Sequence, residues 1–220
     1  MRNKDDEFAA KRFAYEKREK GSNLDSLLAN ADEIVPNLYL GSENAAMDAE
    51  VLKQHGITDI LVPAFTGRER LLHEGEFNYL IWPIQDIKGF PIIWSFPTFV
   101  SRIEEILDGG GKALIHCASG ISRSASVVAA YLMKAKDLDE NQAFHYMRHR
   151  RSIVSNAKFD DQLRLWGKLN FDLESDTIPG QSDEARIKLL DELNRTYSVK
   201  RIKSLYSVLC GETQSFWGAK

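Results

Sequence analysis

Apolar and polar positions alternate along this chain in blocks whose period changes several times. Residues 34–40 alternate about Pro36 and predict a pair of strands, while residues 57–62 read as a buried strand. Between them, residues 45–55 carry the spacing of an amphipathic helix. Residues 79–84 predict another strand, and 95–107 a helix closed by Gly109-Gly110-Gly111. The run at 113–115 reads as a central strand. Small and polar residues follow at 117–122, then an Ala/Val/Leu stretch, 125–133, that suits a buried helix. Helices over 140–151 and 159–169 complete the pattern, the latter with Leu163, Trp166 and Leu169 on one face. This alternation predicts an α/β fold, a central and mostly parallel sheet flanked by helices.

The flanks differ. Residues 1–20 are densely charged with Phe8, Phe13 and Tyr15 interspersed, which suits a solvated helix ending near Gly21. Residues 66–75 read as a loop with a short charged helix. A polar linker over 172–182 contains Pro179-Gly180. Beyond it, Ile187, Leu190 and Leu193, then Val199, Ile202, Leu205, Tyr206 and Leu209 recur at helical spacing, giving two amphipathic helices that need the domain or a partner to cover. The chain thus divides into a charged N-terminal extension (1–30), a central α/β domain (31–171) and a helical C-terminal extension (172–220).

The junction of the central strand with its helix concentrates the chemistry. Strand, tight loop and helix N-terminus gather backbone N–H groups around one point and add the positive end of the helix dipole, a site for a phosphate-sized anion. Cys117 opens the loop, where the amides of Ala118, Ser119, Gly120, Ile121, Ser122 and Arg123 can stabilise its thiolate, the nucleophilic form. Arg123 closes the loop with a planar fork that holds two phosphate oxygens and the charge growing on them. Gly120 permits a backbone conformation that a Cβ penalises. Ser124 can donate a hydrogen bond to the Cys117 sulfur when it leaves, and His116 is expected to brace the loop rather than act as the base.

Those residues, His116-Cys117-Ala118-Ser119-Gly120-Ile121-Ser122-Arg123-Ser124, resemble the HCxxGxxRS signature of cysteine-dependent protein phosphatases. Ala130-Tyr131-Leu132-Met133 is similar to the dual-specificity branch. Pro36-Asn37-Leu38-Tyr39-Leu40-Gly41-Ser42 resembles that family's opening strand, and Gly56-Ile57-Thr58-Asp59-Ile60-Leu61 its next one. Ser152-Ile153-Val154-Ser155-Asn156 with Phe159 and Gln162-Leu163 resembles a later segment, in which the family usually has Pro where Ser155 stands. The likeness runs from about Ile34 to Leu169. It implies a phosphotyrosine-phosphatase-like fold and hydrolysis of phosphotyrosine and phosphoserine/phosphothreonine through a cysteinyl phosphate. Asp86, in the turn-rich loop after the 79–84 strand, matches the family's general acid. It can protonate the leaving oxygen; the plainer role of a loop Asp is to cap its turn.

Rival readings of the signature fail on particular residues. A zinc site needs more soft ligands than Cys117 and Cys210 offer. Gly109-Gly110-Gly111-Lys112 lacks the Ser/Thr of a nucleotide-binding loop, since Ala113 follows and a strand comes next. Gly120-Ile121-Ser122-Arg123-Ser124 lacks the second Gly of a serine-hydrolase elbow. No metal or cofactor is expected. Arg148, His149, Arg150 and Arg151 read either as cations complementing a helix C-terminus or as a basic rim for acidic flanks of the substrate. In the rim reading Arg151 is the contact, beside Asn156. Other open readings are a phosphoinositide or other non-protein phosphatase, disfavoured by the lack of Lys in the loop, and a phospho-reader without turnover.

Composition narrows this little further. A hydrophobic share of 43%, a charged share of 28% and a net charge of -3 are ordinary, and give no case for nucleic acid as a partner. No apolar run reaches the length of a membrane span, and the N-terminus has no apolar signal core. A phosphoprotein is the expected partner. A protein kinase is one candidate, because Lys17-Arg18-Glu19-Lys20 precedes Leu24, Leu27 and Leu28 as in a docking arm, although such charge runs are usually just solvated. Two cysteines, one needed as a thiol, fit a reducing compartment, the cytoplasm with the nucleus also open.

Overall fold

The computed structural model describes residues 30–64, 72–73, 75–153, 159–175 and 182–197. The docking arm, most of the 66–75 loop, the Ser155-Asn156 turn and the second tail helix with Cys210 lie outside the described residues.

Five strands form one sheet: β1 (Ala31–Val35), β2 (Leu38–Ser42), β3 (Asp59–Val62), β4 (Asn78–Ile81) and β5 (Ala113–Cys117). Their spatial order is β1-β2-β5-β3-β4. Only the β1–β2 pair is antiparallel, which is the strand pair expected about Pro36. Asn37 makes the turn at φ 69° and donates its N–H to Glu33 Oε1 at 2.9 Å. The other pairings are parallel, so the α/β expectation is met.

Helices cover both faces. The larger core holds Leu38, Leu40, Leu61, Ala113 and Ile115 of the sheet. Against them pack α2 (Phe96–Asp108) and α3 (Arg123–Lys136), and α4 (Glu140–Arg148) and α5 (Asp160–Lys168) pack in turn on α3. On α2 the buried positions are Phe96, Phe99, Val100, Ile103 and Ile106, one stripe of a 3.6-residue period. The smaller core takes the alternate sheet residues, Tyr39, Ile60, Val62 and Leu114, under α1 (Ala49–Gln54). Being buried on both faces, β5 reads in sequence as a continuous apolar run.

Several boundaries moved for visible reasons. The helix expected over 45–55 is split into a 3-10 turn, Glu43–Ala46, and α1, because the Asp48 side chain accepts from Glu50 N and Val51 N and starts a new helix. The strand expected to reach residue 84 ends at Ile81, and Pro83, which has no N–H to give a ladder, follows. Helix α4 stops at Arg148, so Arg150 and Arg151 lie past its end and do not complement its dipole from the last turn.

The first tail helix, α6 (Asp183–Thr196), packs on the domain. Leu193 enters the larger core, and Arg186 is buried with its guanidinium donating to the carbonyls of Leu169, Asp172 and Ser175. A buried charge is costly unless its donors are met; here three carbonyls meet them, clasping the linker's start to α6. No helix among the described residues is long and apolar enough to cross a membrane.

Candidate active site

Cys117 is the last residue of β5, and residues 118–122 turn from it into the N-terminus of α3. The carbonyls of this loop are held from outside. Ala118 O accepts from Glu43 N at 3.1 Å, Ser119 O from Arg151 Nη2 at 3.4 Å and Gly120 O from Arg151 Nε at 3.1 Å. Peptide planarity points each carbonyl opposite to the following N–H. Fixing three carbonyls outward therefore turns the N–H groups of Ser119, Gly120 and Ile121 inward. At Gly120 φ is +70°, and an added Cβ would lie 2.3 Å from Gly41 O, so this position demands glycine on both conformational and steric grounds.

Cys117 is 3% exposed, and burial alone would push its thiol up. The Ser124 hydroxyl, 3.2 Å from Sγ, together with the Ser124 N–H, the Arg123 charge and the Gly120 N–H, outweighs that and holds the thiol below its ordinary value. Beside it, burial takes the His116 imidazole from an ordinary 6.5 down to about 4, opposed by a long contact of its Nδ1 with Cys117 O at 3.4 Å. His116 is thus neutral near pH 7 and poorly suited to hold a proton there.

Arg123, the first residue of α3, is buried and donates from Nη1 to Ile84 O at 3.1 Å, which ties its guanidinium to the segment just before Asp86. Its Nε is buried without a hydrogen-bond partner among the described residues, a donor that an oxyanion oxygen can satisfy. Asp86 sits over the same loop, its Oδ1 accepting from Ser122 Oγ at 2.9 Å. One space therefore collects a thiol biased toward thiolate, inward amides, a guanidinium and a carboxyl group. Such a set can attack a phosphorus centre, hold its oxygens and exchange a proton with an ester oxygen.

A family model, "Dual specificity phosphatase, catalytic domain", matches residues 38–169. The chain belongs to the dual specificity phosphatase family. Mouse dual specificity protein phosphatase 2 is 36% identical over 132 residues, which is 60% of this chain and 41% of the relative. Human dual specificity protein phosphatase 4 is 37% identical over 132 residues, 60% of this chain and 33% of the relative. The chain thus spans about two fifths or less of the length of these relatives. The crystal structure of the human tyrosine phosphatase-like serine/threonine/tyrosine-interacting protein superposes with a TM-score of 0.60 at 35% identity, covering 64% of this chain and 98% of that one. Within the matched dual specificity phosphatase domain lie Asp86, Cys117, Arg123 and Ser124.

Arg151 calls for a correction. The rim reading has it meet substrate, but its guanidinium is spent on the outer loop carbonyls and on Asp32, whose Oδ2 lies 2.8 Å from Nη1. It braces the Cys117 loop of this dual specificity phosphatase family member through the Ser119 and Gly120 carbonyls. Asn156 lies outside the described residues. Sequence reasoning missed Asp32 and the Glu43 N–H; each acts through a long-range contact that no local pattern signals.

Proposed function

We propose that the chain is a protein phosphatase that hydrolyses phosphotyrosine and phosphoserine/phosphothreonine through a phosphorylated Cys117. The observation carrying this reading is the placement of the Cys117 thiol, held low, at the foot of a loop whose amides are turned inward by outward-bonded carbonyls.

In the first half-reaction the Cys117 thiolate attacks phosphorus, the phosphorus–oxygen ester bond breaks, and Asp86 gives a proton to the departing oxygen. In the second, Asp86, now a carboxylate, takes a proton from a water that attacks phosphorus. The phosphorus–sulfur bond then breaks toward sulfur, and Ser124 Oγ donates to the thiolate that leaves. Arg123 and the loop amides hold the equatorial oxygens throughout, stabilising charge as it grows.

Matched phosphotyrosine and phosphothreonine peptides, assayed beside a phosphoinositide, test this. Turnover of both peptides above the lipid is expected, since Ala118, Ser119, Ile121 and Ser122 offer no cation for further phosphates. A clear lipid preference overturns the protein-phosphatase reading, and tight binding of the peptides without turnover favours a reader. A phosphorylated protein kinase belongs among the substrates assayed, given the basic run at Lys17-Arg18-Glu19-Lys20. The reaction needs a free thiol and so suits the cytoplasm or nucleus.

A further inference from the structure

The loop that carries Asp86 is pinned at both ends, and its far pin is a fully buried amide. At the near end, Ile84 is buried and its carbonyl is taken by Arg123. At the far end, Gln162 of α5 grips the loop's return limb with both atoms of its side-chain amide. Oε1 accepts from Ile93 N at 3.0 Å, and Nε2 donates to Phe90 O at 2.8 Å. Gln162 is 0% exposed, so neither contact is shared with bulk water. Between the pins the chain reverses just after Asp86, where Gly89 takes φ +81° and Phe90 N donates to Ile87 O at 3.2 Å.

The two pins divide their work unequally. Phe90 O also accepts from Ile92 N at 2.9 Å, and Phe90, Ile92 and Ile93 are buried, so the return limb does not depend on Gln162 for burial. Ile93 N has no such second partner among the contacts of the described residues, and the Gln162 carbonyl is what satisfies it. An apolar side chain of the same length fills the space but leaves that N–H buried and unmet. The limb then shifts to find another partner, and a shift there moves the short span that holds Asp86. The turn that follows the limb is also held by the Trp94 indole N–H, which donates to Tyr197 O beyond α6. The acid loop is thereby fixed by parts of the chain 69 and 103 residues downstream.

The geometry points to Gln162 as a positioning residue for the general acid: its amide sets the return limb of the 84–93 loop and so the place of the Asp86 carboxyl above Cys117. This rests on the phosphatase reading with Asp86 as proton donor. It adds a residue that touches neither substrate nor the reacting atoms.

The experiment is a leaving-group series of aryl phosphates, from activated to unactivated, run on the full chain, on Gln162→Met, on Asp86→Asn and on the double variant. The expected result is that Gln162→Met leaves the most activated substrate nearly untouched and slows the least activated one by about 10²-fold, the scale of a misplaced catalytic group. The double variant should be no slower than Asp86→Asn alone, because a misplaced acid and an absent acid fail at the same step. Equal losses across the series, or a double variant whose losses multiply, overturn the proposal. Should Gln162→Met not accumulate as folded protein, Gln162→Asn takes its place, keeping an amide in the core but, one methylene shorter, drawing its acceptor back from Ile93 N, and the same selective loss on the least activated substrate is expected. A wild-type chain that turns over no member of the series defeats the phosphatase reading itself, a result distinct from either outcome for Gln162.

Discussion

Ser122 Oγ donates to Asp86 Oδ1 across 2.9 Å, joining the loop that would hold phosphate to the loop that would supply its proton. The two residues are 36 positions apart, and the part-buried bond holds the carboxyl against the Cys117 loop.

If Asp86 protonates the leaving oxygen, its removal hurts most where the leaving group is poor. Asp86→Asn should slow a phosphopeptide by about 10²–10⁴-fold while leaving an activated aryl phosphate far less affected. Ser122→Ala, which removes the hydroxyl donor to Asp86 Oδ1, should give the same selectivity at smaller size. Steady-state kinetics on the two substrates checks both, and equal losses would reduce Asp86 to a shaper of its loop.

The Cys117 thiol is held low chiefly by Ser124 against the opposing effect of burial. Ser124→Ala deletes the hydroxyl donor at 3.2 Å and leaves the burial in place. The thiol should then titrate higher, which the pH dependence of Cys117 alkylation reads directly. An unshifted alkylation midpoint would assign the low thiol to Arg123 and the loop amides alone.

Burial also sets a pH dependence of stability. The His116 imidazole falls from 6.5 to about 4 in the folded chain. Between those values the unfolded chain binds a proton there that the folded chain does not. Stability is therefore lost as pH falls through that window and unaffected by this residue above it. The full difference amounts to about 3 kcal/mol. Denaturant unfolding at pH 4.5 and 7 should show His116→Gln flattening this slope.

Arg151 distinguishes brace from rim. Its contacts run to Ser119 O, Gly120 O and Asp32, so Arg151→Met should weaken every substrate alike, by roughly tenfold if the loop loses the hydrogen bonds of one charged donor. Peptides with and without acidic flanks separate the cases, because a rim contact would lose only the acidic ones.

The strands, the order of helices and the Cys117 loop were legible because each is local. A five-residue buried run, a glycine at +70° and an Ala/Val/Leu helix leave their marks within one stretch of chain. Boundaries were less legible where a single side chain decided them, as Asp48 did by capping α1 inside an apparently continuous amphipathic run. Arg151 was misplaced for another reason. Its residue type fits a rim and a brace equally, and only its contacts with the Ser119 and Gly120 carbonyls and with Asp32, 119 residues away, separate the two. Arg186 likewise looks like a solvated helix residue until three carbonyls of the preceding segment close around it.

The central claim is that phosphate passes through the Cys117 sulfur. Ser124→Ala should slow departure of that sulfur more than its attack, so the variant accumulates the intermediate. Acid quenching it during turnover of an aryl phosphate, followed by mass spectrometry, tests the claim most directly. The account predicts a phosphoryl group on the Cys117 peptide, and none when Cys117→Ser is treated identically. Steady turnover by Cys117→Ser, or a quenched enzyme carrying phosphate elsewhere and never on Cys117, would contradict it.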